Sequence, residues 1–186
     1  MKRCEEFFYE NIVRLYPLIK GTMKHLVPET VRKDEVVLSE IRQGDGTAFA
    51  DMDALRTWLG AKARFTEWET DETLPLVLEQ PVQIKVQRNA DINGYTHALT
   101  IALELKEYGA TEKAMVRQIE RTGHDFVAEH EDGRLSLLRL FEPAQKIEVS
   151  SAVGGDSYGA TLTVKMKNVN GIQEIVDRSS GSSSSE

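Results

Sequence analysis

The sequence predicts an α+β fold, a mostly antiparallel sheet with about three helices packed on it. Three observations carry that expectation. Apolar residues recur at three- and four-residue spacing in three segments. The second half of the chain alternates apolar and polar residues in short runs, the period of a half-exposed strand. The connections between those runs are too short for the crossovers that parallel neighbours need.

The first helix is expected over residues 4–27, where Phe8, Ile12, Leu15 and Ile19 form one apolar stripe. Pro17 removes a backbone donor and should divide it, one piece ending near Tyr16 and a second near Leu26. Val36, Val37, Leu38 and Ile41 give Glu35–Arg42 strand character, ended by a turn at 43–46. Asp51 or Asp53 then caps a second helix running to about Arg64, with Leu55, Trp58, Leu59 and Ala63 on its apolar face. Short strands are expected at Thr66–Glu69 and around Leu76–Leu78, on either side of an acidic connection.

Val82–Arg88 and Tyr95–Lys106 alternate cleanly and flank a turn at Asn89–Gly94, so they should pair as a hairpin. Thr111 caps a third helix over Glu112–Thr122, which Gly123 ends. Phe126–His130 and Leu135–Phe141 form a second hairpin around Asp132-Gly133. Strands follow at Lys146–Ser151, Ala160–Lys167 and Ile172–Val176, with turns at Gly154-Gly155 and at 168–171. Residues 1–178 read as a single domain, with an N-terminal subdomain ending near residue 80 as the one division considered. The Ser-rich stretch 179–186 reads as a disordered tail.

Composition bounds the function. The chain has 186 residues, 40% of them hydrophobic and 28% charged, which suits one soluble core. A net charge of −7 opposes phosphate binding, and the densest basic run, Lys62 to Arg64, is short, so nucleic acid is not expected as a partner. A single cysteine, Cys4, excludes an internal disulfide and fits a reducing compartment. Cys4 reads as a helix-face thiol rather than a nucleophile. No apolar run approaches the roughly 18–20 residues that cross a bilayer. The opening Met-Lys-Arg-Cys-Glu-Glu does not read as a signal peptide. The expectation is a cytoplasmic protein with no membrane partner, able to enter a particle that assembles there.

Motifs for chemistry are sparse. His124, Asp125, His130, Glu131 and Asp132 form the most enzyme-like patch, since imidazoles and carboxylates ligate zinc or iron. On a strand His124 and His130 share a face but stand about 20 Å apart at ~3.3 Å per residue, with Phe126 and Ala128 between them. They read as boundary histidines of a core strand. Asn89-Ala-Asp91-Ile-Asn93-Gly94 resembles the opening of a calcium loop, but Thr100 stands where the bidentate Glu should be. Gly154–Gly159 is glycine-rich without dinucleotide spacing or a following helix. The carboxylates Glu67, Glu69, Asp71 and Glu72 lie in a polar run that reads as solvated surface, and Trp58 and Trp68 read as core or interface. No catalytic, cofactor-binding or metal residue is assigned, and no cofactor is expected.

The amphipathic strands of the second half, with glycine-rich tips near Gly154–Gly159, suggest sheet edges that pair between chains. The stretch Gly123-His124-Asp125-Phe126 through Asp132-Gly133, with Arg139 and Asn168-Val-Asn-Gly-Ile-Gln173, resembles small structural proteins of tailed phages and contractile injection systems. The resemblance covers about the last 90 residues, rests on a helix–hairpin–hairpin order and a few turn residues, and carries over no functional residue. It implies a non-enzymatic subunit of an oligomeric tail, connector or baseplate, with copies of itself and other assembly proteins as partners. The alternatives are a monomeric module binding a small molecule or peptide, and an enzyme in which His124, His130 and Glu131 are the first suspects.

Overall fold

The computed structural model describes residues 4–62, 64–66, 73–75, 82–91, 94–105, 117, 121, 123–140, 146–151 and 160–178. Its fold is mostly β. In chain order the strands are β1 (Cys4–Ile19), β2 (Met23–His25), β3 (Glu35–Val37), β4 (Ile41–Gln43), β5 (Arg64–Thr66), β6 (Thr73–Pro75) and β7 (Val82–Asp91). They continue with β8 (Gly94–Leu105), β9 (His124–His130), β10 (Leu135–Leu138), β11 (Lys146–Ser151), β12 (Ala160–Asn168) and β13 (Ile172–Val176). Among the described residues one complete α-helix, α1 (Met52–Lys62), lies between β4 and β5, and a 3-10 turn at Leu38–Glu40 separates β3 from β4. The expectation of about three helices on a sheet is therefore corrected. Of the segment expected as a helix at 112–122, only Arg117 and Arg121 are described, both in helical conformation, and the rest lies outside the described residues. The Ser-rich tail at 179–186 lies outside them as well.

The largest correction is β1, sixteen residues of strand where the apolar spacing suggests a helix. Its register slips between Tyr9 and Ile12 and again between Ile12 and Arg14. The slip between Ile12 and Arg14 lets Ile12 and Leu15, three apart, join the same buried cluster. Leu15 and Leu18 follow in unbroken register and enter two different buried clusters, so this half of β1 is covered on both faces. One slip followed by burial on both faces leaves Ile12, Leu15 and Leu18 three apart, which is also the helical signature. Aromatic and β-branched residues such as Tyr9, Val13 and Tyr16 favour the extended form. Pro17 is tolerated because, among the described residues, the second half of β1 pairs on one side only, with β9.

Nine strands form one sheet in the order β11-β12-β8-β7-β1-β9-β10-β13-β3. β1 belongs to both halves of it: its first half pairs with β7 and its second with β9, and Ile12 alone meets both. Every neighbouring pair is antiparallel except β13 with β3. The hairpins β7–β8 and β9–β10 pair as expected. β12 and β13 do not pair, although only residues 169–171 separate them.

That short connection dictates the shape. In a flat sheet, the five strands between β12 and β13 would hold them about 29 Å apart, at ~4.8 Å per strand. The step from Asn168 to Ile172 reaches at most about 14 Å. The sheet must curl until its halves meet at this corner, as in a partly closed barrel. The inner core agrees: Val164, Leu99, Ile84, Ile12, Phe126 and Leu138, one residue from each of six successive strands, belong to one buried cluster. A second cluster covers the outer face of the β9 side, where Val127, Leu135, Leu137 and Ile175 meet Leu55 and Leu59 of α1. The cap of α1 is Asp51, whose Oδ1 accepts the Ala54 N–H at 2.8 Å.

Candidate functional site

The corner where the barrel closes is braced by polar groups. Asn168 is buried; its Nδ2 donates to Arg139 O and Gly171 O, both at 2.9 Å, and its Oδ1 accepts the Gly171 N–H. The loop 28–34 runs across this turn as a strap. Val169 N donates to Glu29 Oε1 at 2.9 Å, Asn170 Nδ2 to Val31 O at 2.9 Å, and Lys33 N to Asn170 Oδ1 at 2.9 Å. Gln173 Nε2 donates to Lys33 O at 2.7 Å.

Two cavities flank the strap. The first, of about 440 Å³, is the mouth of the barrel beside the corner turn. Its apolar wall comes from Phe7, Val86 and Ile172, and its polar rim from Arg32, Arg88 and His97. Arg32 Nη1 donates to Tyr95 O at 2.6 Å, and the Arg88 guanidinium carbon sits 3.7 Å above the centre of the Tyr95 ring. His97 Nδ1 donates to Val169 O at 2.8 Å. Burial, with the Arg88 and Arg32 charges, leaves the His97 imidazole below its ordinary pKa in spite of the Val169 carbonyl and the Asp34 carboxylate. Tyr9 is shifted upward, chiefly by burial and then by the Asp34 carboxylate.

Two glycines make room for this rim. Gly94 has φ +114, and a Cβ there would fall 2.6 Å from Arg32 Nη2. Gly171 has φ +68, and its Cβ would fall 3.0 Å from the His97 ring. Both angles lie where side chains are disfavoured. Each glycine therefore supplies both the turn and the seat of a polar side chain.

The second cavity, of about 500 Å³, lies on the other side of the strap. Its wall holds His25 against Asp125, with Nε2 3.0 Å from Oδ2, and Arg139 against Glu29, with Nε 3.5 Å from Oε2. Arg139 Nη1 also donates to Val27 O at 2.7 Å. Burial raises the Glu29 carboxyl above the ordinary range in spite of the Val169 N–H and the Arg139 charge. Pairing leaves these groups as clamps between segments rather than as a converging acid and base.

The suspected enzyme patch does not assemble. His124 is buried beside Phe126, 6.3 Å between ring centres, and burial pushes its imidazole down to about 4. His130 is buried at the other end of β9, with Nε2 2.8 Å from Ser136 Oγ. Glu131 is exposed in the hairpin turn. Asp125 leaves its sequence neighbours and turns to His25. Asn89 and Asp91 are ladder residues of β7, opposite Thr96 and Gly94. Cys4 opens β1 opposite Asn89. Trp58 packs edge-on against Phe49 at 5.1 Å. Residues 67–72, including Glu67, Trp68, Glu69, Asp71 and Glu72, lie outside the described residues, as do Gly154–Gly159.

Arg32, Arg88, Tyr95 and His97 carry no local motif. The hairpin is as expected, but its register is not: a turn at Asn89–Gly94 would set Arg88 opposite Tyr95, whereas the strands run on to Asp91 and from Gly94, pairing Arg88 with His97 and Ala90 with Tyr95. The approach of Arg32 and of the 169–171 turn depends on barrel closure and left no local signal. No family model, curated protein or solved structure matches the chain.

Proposed function

We propose that the chain is a non-enzymatic structural subunit of an oligomeric, phage-tail-like assembly, a tail, connector or baseplate component that joins its neighbours through sheet edges. The observation that supports this most is the position of β11. It extends the sheet beyond the closed corner and, among the described residues, pairs with β12 alone. A strand so placed has alternate backbone N–H and C=O groups directed away from its partner, a template for a strand of another copy. A ring of like subunits satisfies those groups by mutual augmentation.

Light scattering over a range of concentrations tests the reading. The expected result is a discrete multiple of the 20.9 kDa chain. Glu148→Pro and Val149→Pro refine the test, because of two adjacent strand residues one N–H faces β12 and the other faces outward. The substitution at the outward position should reduce the assembly to folded monomers. A monomer at every concentration, before and after either substitution, would count against this reading.

A second reading, a monomeric binding module, is favoured by the barrel mouth. That cavity lies within the roughly 300–1,000 Å³ range of small-molecule sites and combines an apolar wall with a few polar groups.

A further inference from the structure

We infer that the second cavity, beside the His25–Asp125 pair, binds a small organic phosphomonoester, its phosphate held by Lys20 and Lys24. The inference concerns the cavity of one chain and stands apart from whether copies assemble.

Charge balance supplies the first step. The wall of this cavity carries Lys20, Lys24, His25 and Arg139 together with the carboxylates of Glu29 and Asp125. Both carboxylates are answered from within the wall, Asp125 by His25 at 3.0 Å and Glu29 by Arg139 at 3.5 Å. Lys20 and Lys24 are exposed, and neither has a carboxylate partner among the described residues. Lys20 Nζ reaches a neutral acceptor, Leu140 O, at 3.4 Å. Opposite Lys24 in the β2–β4 ribbon stands Arg42, a further cation. Asp45, next to Gly44 in the turn, is engaged elsewhere, its Oδ1 accepting the Thr47 N–H at 2.9 Å. In a chain at −7, the two ammonium groups make this wall a local reversal of charge.

The backbone supplies the second step. Lys20 and Lys24 flank the turn that joins β1 to β2, closed by the Thr22 N–H donating to Ile19 O at 2.9 Å. Gly44 N donates to Thr22 O at 2.8 Å, and a Cβ on Gly44 would fall 2.6 Å from Gly21 O. Two glycine turns therefore meet backbone to backbone at the cavity wall, where a ligand can approach closely. Arg139 adds a donor: Nη1 is spent on Val27 O and Nε faces Glu29, while Nη2 has no acceptor among the described residues. Ammonium and guanidinium groups both suit phosphate oxygens. Size supplies the third step. About 500 Å³ is more than a bare phosphate needs, and the buried Met23 and Leu140 add an apolar face to the wall. An ester with a ring or short chain suits both parts.

Phenyl phosphate is the probe, titrated into the full chain at low ionic strength, with phenol and inorganic phosphate as counterparts. Calorimetry gives the affinity, and the resonances of the His25 ring and the Met23 methyl give the place. Phenyl phosphate should bind saturably and move both resonances. Phenol, which lacks the charge, and inorganic phosphate, which lacks the ring, should each bind at least about tenfold more weakly. Lys20→Gln and Lys24→Gln should each weaken phenyl phosphate by about tenfold, the loss expected when a charge-assisted hydrogen bond is removed. Both lysines are exposed, so either can be changed without disturbing the core. Arg134→Gln, which removes an exposed cation in the β9–β10 turn, should leave the affinity unchanged. Phenol or inorganic phosphate binding as tightly as phenyl phosphate, undiminished binding by either folded lysine variant, a loss in Arg134→Gln equal to that in Lys20→Gln, or resonance changes elsewhere than at His25 and Met23 would each overturn the assignment. So would the absence of any saturable binding of phenyl phosphate.

Discussion

His25 Nε2 lies 3.0 Å from Asp125 Oδ2, although 100 positions separate the two residues in the chain. The other oxygen of Asp125 accepts the buried Leu140 N–H at 2.8 Å. One carboxylate therefore fastens the β2–β4 ribbon to β9 and satisfies a backbone donor after β10. Asp125→Ala removes both bonds and leaves a buried N–H without an acceptor, a loss of about 2–3 kcal/mol. Asp125→Asn keeps an acceptor oxygen and should lose about half as much. Urea unfolding monitored by far-UV circular dichroism measures both. Equal stability of the Ala variant and the parent would show that the clamp contributes nothing.

Acid should weaken the fold through His124. Its imidazole, ordinarily at 6.5, is pushed down to about 4 by burial, so the folded state disfavours the proton that the unfolded chain accepts. Stability is then fully present above about 6.5 and is lost as pH falls toward about 4, by about 3 kcal/mol for this group. His97 and His130 are lowered too and act in the same direction. Glu29, raised by burial, acts in the opposite sense: its contribution grows on acidification. Denaturant midpoints followed from neutral pH down to about pH 5, above most carboxylate titration, isolate the histidines. His124→Gln, which cannot titrate there, should flatten the slope, and an unchanged slope would contradict the assignment.

Strands with regular alternation were legible in the sequence, and irregular ones were not. Val82, Ile84 and Val86 keep period two, and the β7–β8 hairpin forms where they predict it. β1 breaks the period at two register slips and is then buried on both faces, so its buried Ile12, Leu15 and Leu18 carry helical spacing. Local pattern cannot separate those alternatives, because the partners that decide, β7 and β9, lie far along the chain. The same limit applies to the site. Asn168-Val-Asn-Gly171 reads as a turn, and a turn it is, with Gly171 at φ 68. A turn between neighbouring runs suggests a hairpin, but here it joins the two halves of a curled sheet. Only that closure brings Glu29, Arg32 and His97 to the corner, so neither cavity has a sequence signature.

Gly94 and Gly171 should respond differently to the same substitution. Each sits at positive φ, so alanine costs about 1 kcal/mol of backbone strain at either position. The neighbours differ. At Gly94 the new methyl meets the end of a long exposed side chain, Arg32 Nη2 at 2.6 Å, which can swing away. At Gly171 it meets the His97 ring at 3.0 Å, and that ring is held by Val169 O at 2.8 Å on the very turn that carries the glycine. Gly94→Ala should therefore keep most of the stability while displacing Arg32. Gly171→Ala should lose clearly more stability than Gly94→Ala, about 2–3 kcal/mol in all, because strain and the lost histidine bond add. Thermal unfolding of both variants measures the difference. Equal losses of stability would mean that His97 yields as easily as Arg32, and the corner turn would then not be the rigid seat of the barrel mouth.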